Sequence, residues 1–361
     1  MKLVYLTPDL GKTGGPNRVL MNIISHYPTT SNADIDVICL KRRENNGTYE
    51  DDINGPNIKI HYLEDLGYPK LISIIRLRGL VKSLNPDIVH SNSFKTDILQ
   101  LLVPRKIFKT STAHNVPYED FVMAYGRMTG LAMTIVQVAL YKTFDGAISV
   151  SNRIAEYFGM FGITTKTIHN GVPINATILK TKQNNERPIF IWTGRLIERK
   201  NLTHTLELFF KNPDIGDLYV VGEGPLLGEY IKLFSSAKNI TFVGHTDDVQ
   251  KYLSFADVFI SPSLSEGLPM ASLEALASGL PLILSDIPSH REIFDVVGNT
   301  NVVKLFPLNN SDAEKVVISD FKIRKKDSDL ALKAHKTYFS AETMADKYKK
   351  FFSGFLDANI E

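Results

Sequence analysis

Two carboxylates with seven residues between them stand in the run Ser265-Glu266-Gly267-Leu268-Pro269-Met270-Ala271-Ser272-Leu273-Glu274. Glu266 falls in the loop expected after a strand at Val258–Ser261, and Pro269 stands where a helix would begin. Glu274 then lies about a turn and a half inside that helix. A carboxylate accepts two hydrogen bonds from a vicinal diol, which a ribose or a pyranose edge presents, so the pair can line one pocket at different depths. Leu273, Leu276 and Ala277 surround Glu274, which implies a partly buried charge that needs a partner. Gly267 and Pro269 fix the backbone beside the same place. The plainer alternative is that both acids only favour a helix N-terminus electrostatically.

Cations come in a second loop, Trp192-Thr193-Gly194-Arg195-Leu196-Ile197-Glu198-Arg199-Lys200. Gly194 allows close backbone approach, Arg195 offers a planar fork of donors and Lys200 a point charge, a pair suited to a diphosphate, although taken alone the loop reads first as surface ion pairing. Gly222-Glu223-Gly224-Pro225 repeats the strand-to-helix pattern and reads as a tight turn or a backbone cradle. Near the start, Gly11-Lys12-Thr13-Gly14-Gly15-Pro16 is not a nucleotide P-loop, because the first glycine of that motif would have to stand where Leu6 is. What remains is Gly14-Gly15 ahead of a helix with Pro16 in its first turn, an exposed set of N–H groups or a simple turn.

These loops need strands to hold them. Short β-branched or aromatic runs are expected as strands at Lys2–Thr7, Asp36–Leu40, Ile58–Leu63, Asp87–His90, Lys109–Ala113, Gly146–Val150 and Thr165–His169. A helical face of Leu20, Ile23, Ile24 and Tyr27 follows the first. A second series comprises Ile189–Thr193, Leu218–Val221, Thr241–Val243, Val258–Ser261, Leu282–Ser285 and Val302–Leu305, each but the last followed by a helical pattern. The polar stretch from Lys180 to Pro188 reads as a linker. Two α/β doubly wound domains are therefore expected, 1–170 and 171–337, with 338–361 as a terminal helix and ligands in a cleft beyond the strand ends.

Composition narrows the function. The 361 residues carry 41 Lys and Arg against 39 Asp and Glu, a net charge of +2, which disfavours nucleic acid or another polyanion bound by bulk charge. A single cysteine, Cys39, allows no internal disulfide or multi-thiolate metal site and points to a reducing, cytoplasmic compartment. The opening apolar run is too short for a signal peptide, and the run 130–141 falls short of the ~20 residues that span a bilayer. Asp34-Ile-Asp36 and Asp327-Ser-Asp329 superficially match the Asp-x-Asp of metal-dependent transferases, and both read as solvated, so no metal is expected.

Taken in order, the motifs resemble the retaining nucleotide-sugar glycosyltransferases of family 4, which have the GT-B fold of two facing Rossmann-like domains. The resemblance rests on Glu266 to Glu274, Gly194-Arg195-Leu196 with Lys200, Gly222-x-Gly224-Pro225 and Asn170-Gly171-Val172. It extends to Gly14-Gly15, His90, Thr112-Ala113-His114, Ser149-Val150-Ser151 and Phe339-Ser340-Ala341-Glu342-Thr343, nearly the whole chain. It implies that Arg195 and Lys200 hold the donor diphosphate and neutralise the leaving group, and that Glu274 binds the ribose and Glu266 the transferred sugar. Gly267, Leu268 and Pro269 would add backbone contacts, with Gly14, Gly15, Gly194 and Gly222 in the donor loops. His114 matches a histidine near the reacting centre. The catalytic set would be His114, Glu266, Arg195 and Lys200.

The same resemblance implies a UDP-sugar, or alternatively a GDP-sugar, as co-substrate. The acceptor would be a polyprenyl-diphosphate-linked or oligosaccharide molecule of bacterial surface polysaccharide assembly. A nucleotide-sugar 2-epimerase on the same fold is the alternative. From Pro69 to Lys109 eight basic residues (Lys70, Arg76, Arg78, Lys82, Lys95, Arg105, Lys106, Lys109) face two acids. With the apolar stretch 128–140 they point to peripheral contact with an anionic membrane or with the acceptor's diphosphate.

Overall fold

The computed structural model describes residues 1–12, 14–27, 33–42, 47–50, 52–53, 57–66, 70–174, 187–308, 310–321 and 324–357. Most of the expected linker, 180–186, lies outside them. The chain divides into two units, Met1–Gly171 with Ala341–Glu361, and Val172–Ser340.

The first unit runs β1 (Lys2–Thr7), α1 (Gly15–Ser25), β2 (Asp34–Cys39), β3 (Ile58–Tyr62), α2 (Lys70–Leu84), β4 (Ile88–Ser91) and α3 (Phe94–Leu99). It continues through β5 (Phe108–Ala113), α4 (Pro117–Tyr125), α5 (Arg127–Tyr141), β6 (Gly146–Ser149), α6 (Asn152–Gly159) and β7 (Lys166–Thr167). Its seven strands pair in the order β3-β2-β1-β4-β5-β6-β7, and the pairings are parallel. Val4, Leu6 and Val89 point to one face of that sheet and pack on Leu77 and Val81 of α2.

The second unit runs β8 (Ile189–Thr193), α7 (Leu202–Lys211), β9 (Asp217–Val221), α8 (Leu227–Leu233), β10 (Ile240–Gly244), α9 (Val249–Phe255) and β11 (Val258–Ser261). Then come α10 (Met270–Ala277), β12 (Leu282–Ser285), α11 (Pro288–Val297), β13 (Val303–Phe306), α12 (Ser311–Ser319) and α13 (Lys325–Ala334). Six parallel strands take the order β10-β9-β8-β11-β12-β13. Runs such as Val-Phe-Ile-Ser and Leu-Ile-Leu-Ser are apolar on both sides because helices cover both faces of a parallel sheet. Trp192, Phe209, Leu206 and Ile260 centre the core of this unit. Each sheet has the Rossmann order 3-2-1-4-5-6, in which the chain reverses direction between the first and fourth strands and leaves a crevice at their carboxyl ends.

The last helix, α14 (Ala341–Asp357), belongs to the first unit. Tyr348 and Phe352 bury against Tyr5 and His90, and the Tyr348 hydroxyl is 2.9 Å from Thr112 Oγ1. α14 thus covers the sheet face opposite α2.

The structure corrects three sequence expectations. Asp36 is not solvated: it is buried inside β2, with His61 Nε2 of the neighbouring strand 2.6 Å from its Oδ1 and Lys2 at 3.8 Å. Asp327 is buried in the first turn of α13, with Arg324 Nε at 3.7 Å, while Asp34 and Asp329 are exposed. The last strand of the second sheet is followed by helices after all, α12 and α13, whose charged surfaces hide their helical pattern.

Candidate functional site

In the second unit the reversal point lies between β8 and β11, and the two sequence-predicted loops follow those two strands. After β8 the chain passes through Gly194 and exposed Arg195, plants Leu196 in the core, makes a single tight turn at Glu198–Lys200 and enters α7. The loop after β11 is stitched to this turn. Leu264 N–H donates to Arg199 O (2.9 Å), the Arg199 guanidinium to Ser265 O (3.1 Å) and the Asn201 amide to Pro262 O (3.2 Å).

Lys200 and Glu266 meet at the centre of this seam. Lys200 Nζ donates to Glu266 Oε1 at 2.5 Å, Ser263 Oγ donates to the same oxygen at 2.8 Å, and Arg199 Nη1 stands 3.7 Å from Oε2. Glu266 is only 8% exposed. Burial alone would raise its carboxyl pKa, but the charges of Lys200 and Arg199, with the Lys200 hydrogen bond, hold it below the ordinary value. Arg195 engages no carboxylate among the described residues, so its fork of donors remains available to an anion.

The glycines of Gly222-x-Gly224 have a packing role that sequence spacing did not show. Gly222 has φ +138, and a Cβ there would stand 1.8 Å from Gly194 O; one on Gly224 would stand 2.3 Å from Leu196 O. Leu196 N–H donates to Glu223 O (2.9 Å) and Gly194 N–H to Val221 O (3.0 Å). The Gly222 loop therefore buttresses the Arg195 loop from behind.

Pro269 is the N-cap of α10, a helix buried on nearly every side, and Gly267 and Leu268 are buried ahead of it. Glu274 is 7% exposed on α10. The structure ties Glu266 directly to Lys200 and sets Gly194 beside the Lys200 stem. Arg199 and Asn201 were missed from sequence, since nothing in their spacing marks them as partners of residues more than sixty positions away, and Ser263, only three residues before Glu266, was missed as well.

In the first unit the corresponding reversal lies between β1 and β4. Gly14, with φ +132, caps α1, and both Gly14 and Gly15 are exposed at the N-terminus of the helix. Asn17 locks the loop by donating to Asp9 Oδ1 (3.2 Å) and Gly11 O (3.0 Å). His114 follows the end of β5. Part of the residue is exposed, but its Nε2 is sealed from solvent without a partner, and burial lowers the ring's pKa to about 4. It is a neutral imidazole near pH 7.

Comparison with known sequences agrees with this geometry. A family model described as Glycosyltransferase Family 4 matches residues 13–176, and one described as Glycosyl transferases group 1 matches residues 187–316. The chain belongs to the family 4 glycosyltransferases and has the GT-B fold. This glycosyltransferase is 26% identical to the O-antigen biosynthesis glycosyltransferase WclY of Escherichia coli over 98% of both chains. It is 31% identical, over 60% of its own length and 62% of the relative's, to an Escherichia coli UDP-Gal:alpha-D-GlcNAc-diphosphoundecaprenol alpha-1,3-galactosyltransferase. Among solved structures, a sucrose-phosphate synthase from Thermosynechococcus elongatus superposes with TM-score 0.81 at 17% identity, covering 99% of each chain. HepE of Anabaena in complex with UDP and glucose superposes with TM-score 0.77 at 16% identity, covering 98% of this chain and 100% of that one.

Proposed function

We propose that this glycosyltransferase moves a sugar from a nucleotide diphosphate, UDP in the first instance, to a lipid-linked or oligosaccharide acceptor in bacterial surface polysaccharide synthesis. The observation that carries the reading is the seam at the β8/β11 reversal, where the loop that carries Arg195 is stitched to the loop after β11 and Lys200 pairs with a buried, ionised Glu266. Arg195 and Lys200 hold the diphosphate, Glu274 takes the ribose hydroxyls and Glu266 those of the sugar. The relatives named for O-antigen synthesis and for a diphosphoundecaprenol acceptor support the same assignment.

Breaking the C–O bond to the diphosphate puts positive charge on the sugar ring and negative charge on the leaving oxygen. Fixed cations at that oxygen lower the barrier without a divalent metal. Attack on the face of departure retains the anomeric configuration, and neutral His114 offers a hydrogen bond to the sugar in place of a charge. Gly14 and Gly15, at the N-terminus of α1, are assigned to the diphosphate as well.

Peripheral contact with an anionic membrane belongs to the same proposal. Met128, Leu131 and Ile135 fall on one face of α5, with Met128 88% and Ile135 61% exposed, and Met123 and Tyr125 of α4 add to it. Exposed Lys95, Arg105 and Lys106 lie in and after α3, which packs on α5. Among the described residues no helix is long and apolar enough to cross a membrane.

A thermal-shift panel of UDP, GDP, ADP and their sugar conjugates tests the donor, since a ligand of the native state raises its melting temperature by mass action. Stabilisation by UDP and a UDP-sugar, with sugar transfer that persists in excess EDTA, is expected. Epimerisation of the nucleotide sugar without an acceptor would replace the transferase reading with an isomerase, and activity restored only by Mn²⁺ would remove the metal-free step.

A further inference from the structure

His290 takes no part in the site as assigned so far. It lies in the first turn of α11, directly after β12, and is wholly buried, with 0% of its surface exposed. β12 pairs with β11, the strand whose loop carries Glu266. The connection continues through hydrogen bonds: Ser285 Oγ donates to Ser263 O at 2.6 Å, and Ser263 Oγ donates to Glu266 Oε1.

The histidine's own bonds fix its tautomer. Nδ1 stands 2.9 Å from Ser285 O, an atom that can only accept, so Nδ1 carries the proton and the lone pair of the neutral ring is on Nε2. That Nε2 is sealed from solvent and has no hydrogen-bond partner among the described residues. A buried acceptor with no donor is destabilising, and such atoms are rare in native proteins unless a ligand or water completes them. Burial lowers the pKa of the ring to about 4, which keeps the lone pair free near pH 7. A phosphate oxygen has no proton to give such an atom, whereas a sugar hydroxyl does.

We propose that His290 is a specificity-determining residue of the donor site, its Nε2 accepting a hydrogen bond from a hydroxyl of the transferred sugar held at Glu266. The proposal rests on the nucleotide-sugar reading above and adds to it a contact specific to the sugar, separate from the phosphate and ribose contacts.

Two variants and calorimetric titration test it. In His290→Asn the amide nitrogen can still donate to Ser285 O, but nothing replaces Nε2; in His290→Gln a polar group reaches the Nε2 position. UDP, UDP-glucose, UDP-galactose, UDP-N-acetylglucosamine, GDP and GDP-mannose are titrated into the native protein, and the best-binding conjugate and its parent nucleotide into each variant. In His290→Asn the conjugate is expected to lose about tenfold in affinity while the parent nucleotide stays within about twofold, and His290→Gln should recover most of the loss. An unchanged conjugate-to-nucleotide ratio in His290→Asn overturns the assignment. So does an equal loss for both ligands, which would make His290 a structural residue only. If the native protein binds none of the six, the nucleotide-sugar reading falls, and the His290 assignment with it.

Discussion

Lys200 Nζ lies 2.5 Å from Glu266 Oε1, joining a cation expected at the diphosphate to a carboxylate expected at the sugar. Both side chains are mostly buried, at 17% and 7% exposure, so neither charge is adequately solvated alone. Arg199 and Ser263 complete the carboxylate's shell, and Arg195 engages no carboxylate among the described residues.

This pairing makes stability and activity separable at one place. Lys200→Met leaves the buried Glu266 charge with Arg199 alone and should cost about 3 kcal/mol. Glu266→Gln frees a more exposed ammonium and should cost about 1 kcal/mol. The double variant removes both charges and is expected to be more stable than Lys200→Met while remaining inactive. Urea denaturation of the four proteins gives the coupling energy; additive losses would contradict a direct ion pair.

The glycine at 222 is a packing requirement. In Gly222→Ala the new methyl group meets Gly194 O, and φ +138 disfavours any L side chain, so about 3 kcal/mol of stability should be lost. Because the displaced backbone carries Arg195, affinity for UDP should drop as well. Gly79→Ala is the control: Gly79 lies inside α2 with open space where its Cβ would be, and alanine there should add about 1 kcal/mol. Equal stability of the two variants would refute the close approach of the Gly222 and Gly194 loops.

Acid should destabilise this fold earlier than its carboxylates alone would. Burial lowers His90 to about 3, with a further contribution from His114, and lowers His114 and His290 to about 4, against an ordinary value of 6.5. Below pH 6.5 the unfolded chain takes up protons that the folded one refuses, so stability falls by up to about 4 kcal/mol per pH unit. Asp97 acts in the opposite sense: burial raises it to about 6 despite hydrogen bonds from Ser91, Ser111 and Gln137, so the native state gains up to about 1.4 kcal/mol per unit between pH 6 and the unfolded value of 3.8. Lower stability at pH 5 than at pH 7 is expected in denaturation curves. His90→Gln, whose amide can still bridge Thr110 and Thr112, should remove roughly a third of the histidine slope. A flat profile between pH 5 and 7 would show that these rings are not held neutral by the fold.

Much of the fold was legible because buried parallel strands are written as short, continuous apolar runs. β1, β8, β11 and β12 have the bounds their sequences predict. The carboxylate loop was legible too, since Pro269 and Gly267 mark a strand-to-helix turn whatever surrounds them. What escaped depends on neighbours remote in sequence. Asp36 is buried because His61 of β3 lies beside it, and no local pattern in Asp34-Ile-Asp36 encodes that partner. α13 is rich in Lys and Asp and reads as a solvated stretch, yet Asp327 and Ala331 are buried. Nothing in Pro288-Ser-His-Arg-Glu singles out His290 by residue type or spacing, and its orphaned Nε2 is visible only in the fold.

The apolar row on α5 makes the membrane proposal quantitative. Each large side chain that leaves water for the acyl boundary contributes about 1.5–3 kcal/mol, and each nearby basic residue about 1 kcal/mol at a surface rich in anionic lipid. Met128→Glu with Ile135→Glu removes two such side chains and adds two like charges to the anionic surface. Binding to vesicles of phosphatidylglycerol and phosphatidylethanolamine, measured by co-sedimentation, should fall at least tenfold for this variant. Lys95→Ala with Lys106→Ala should weaken binding less, and the loss should shrink as salt rises and screens the charges. None of the four positions is assigned to the donor, so UDP affinity should be unchanged in both variants. Native protein that stays in the supernatant with these vesicles at low salt would show that the row does not meet a membrane.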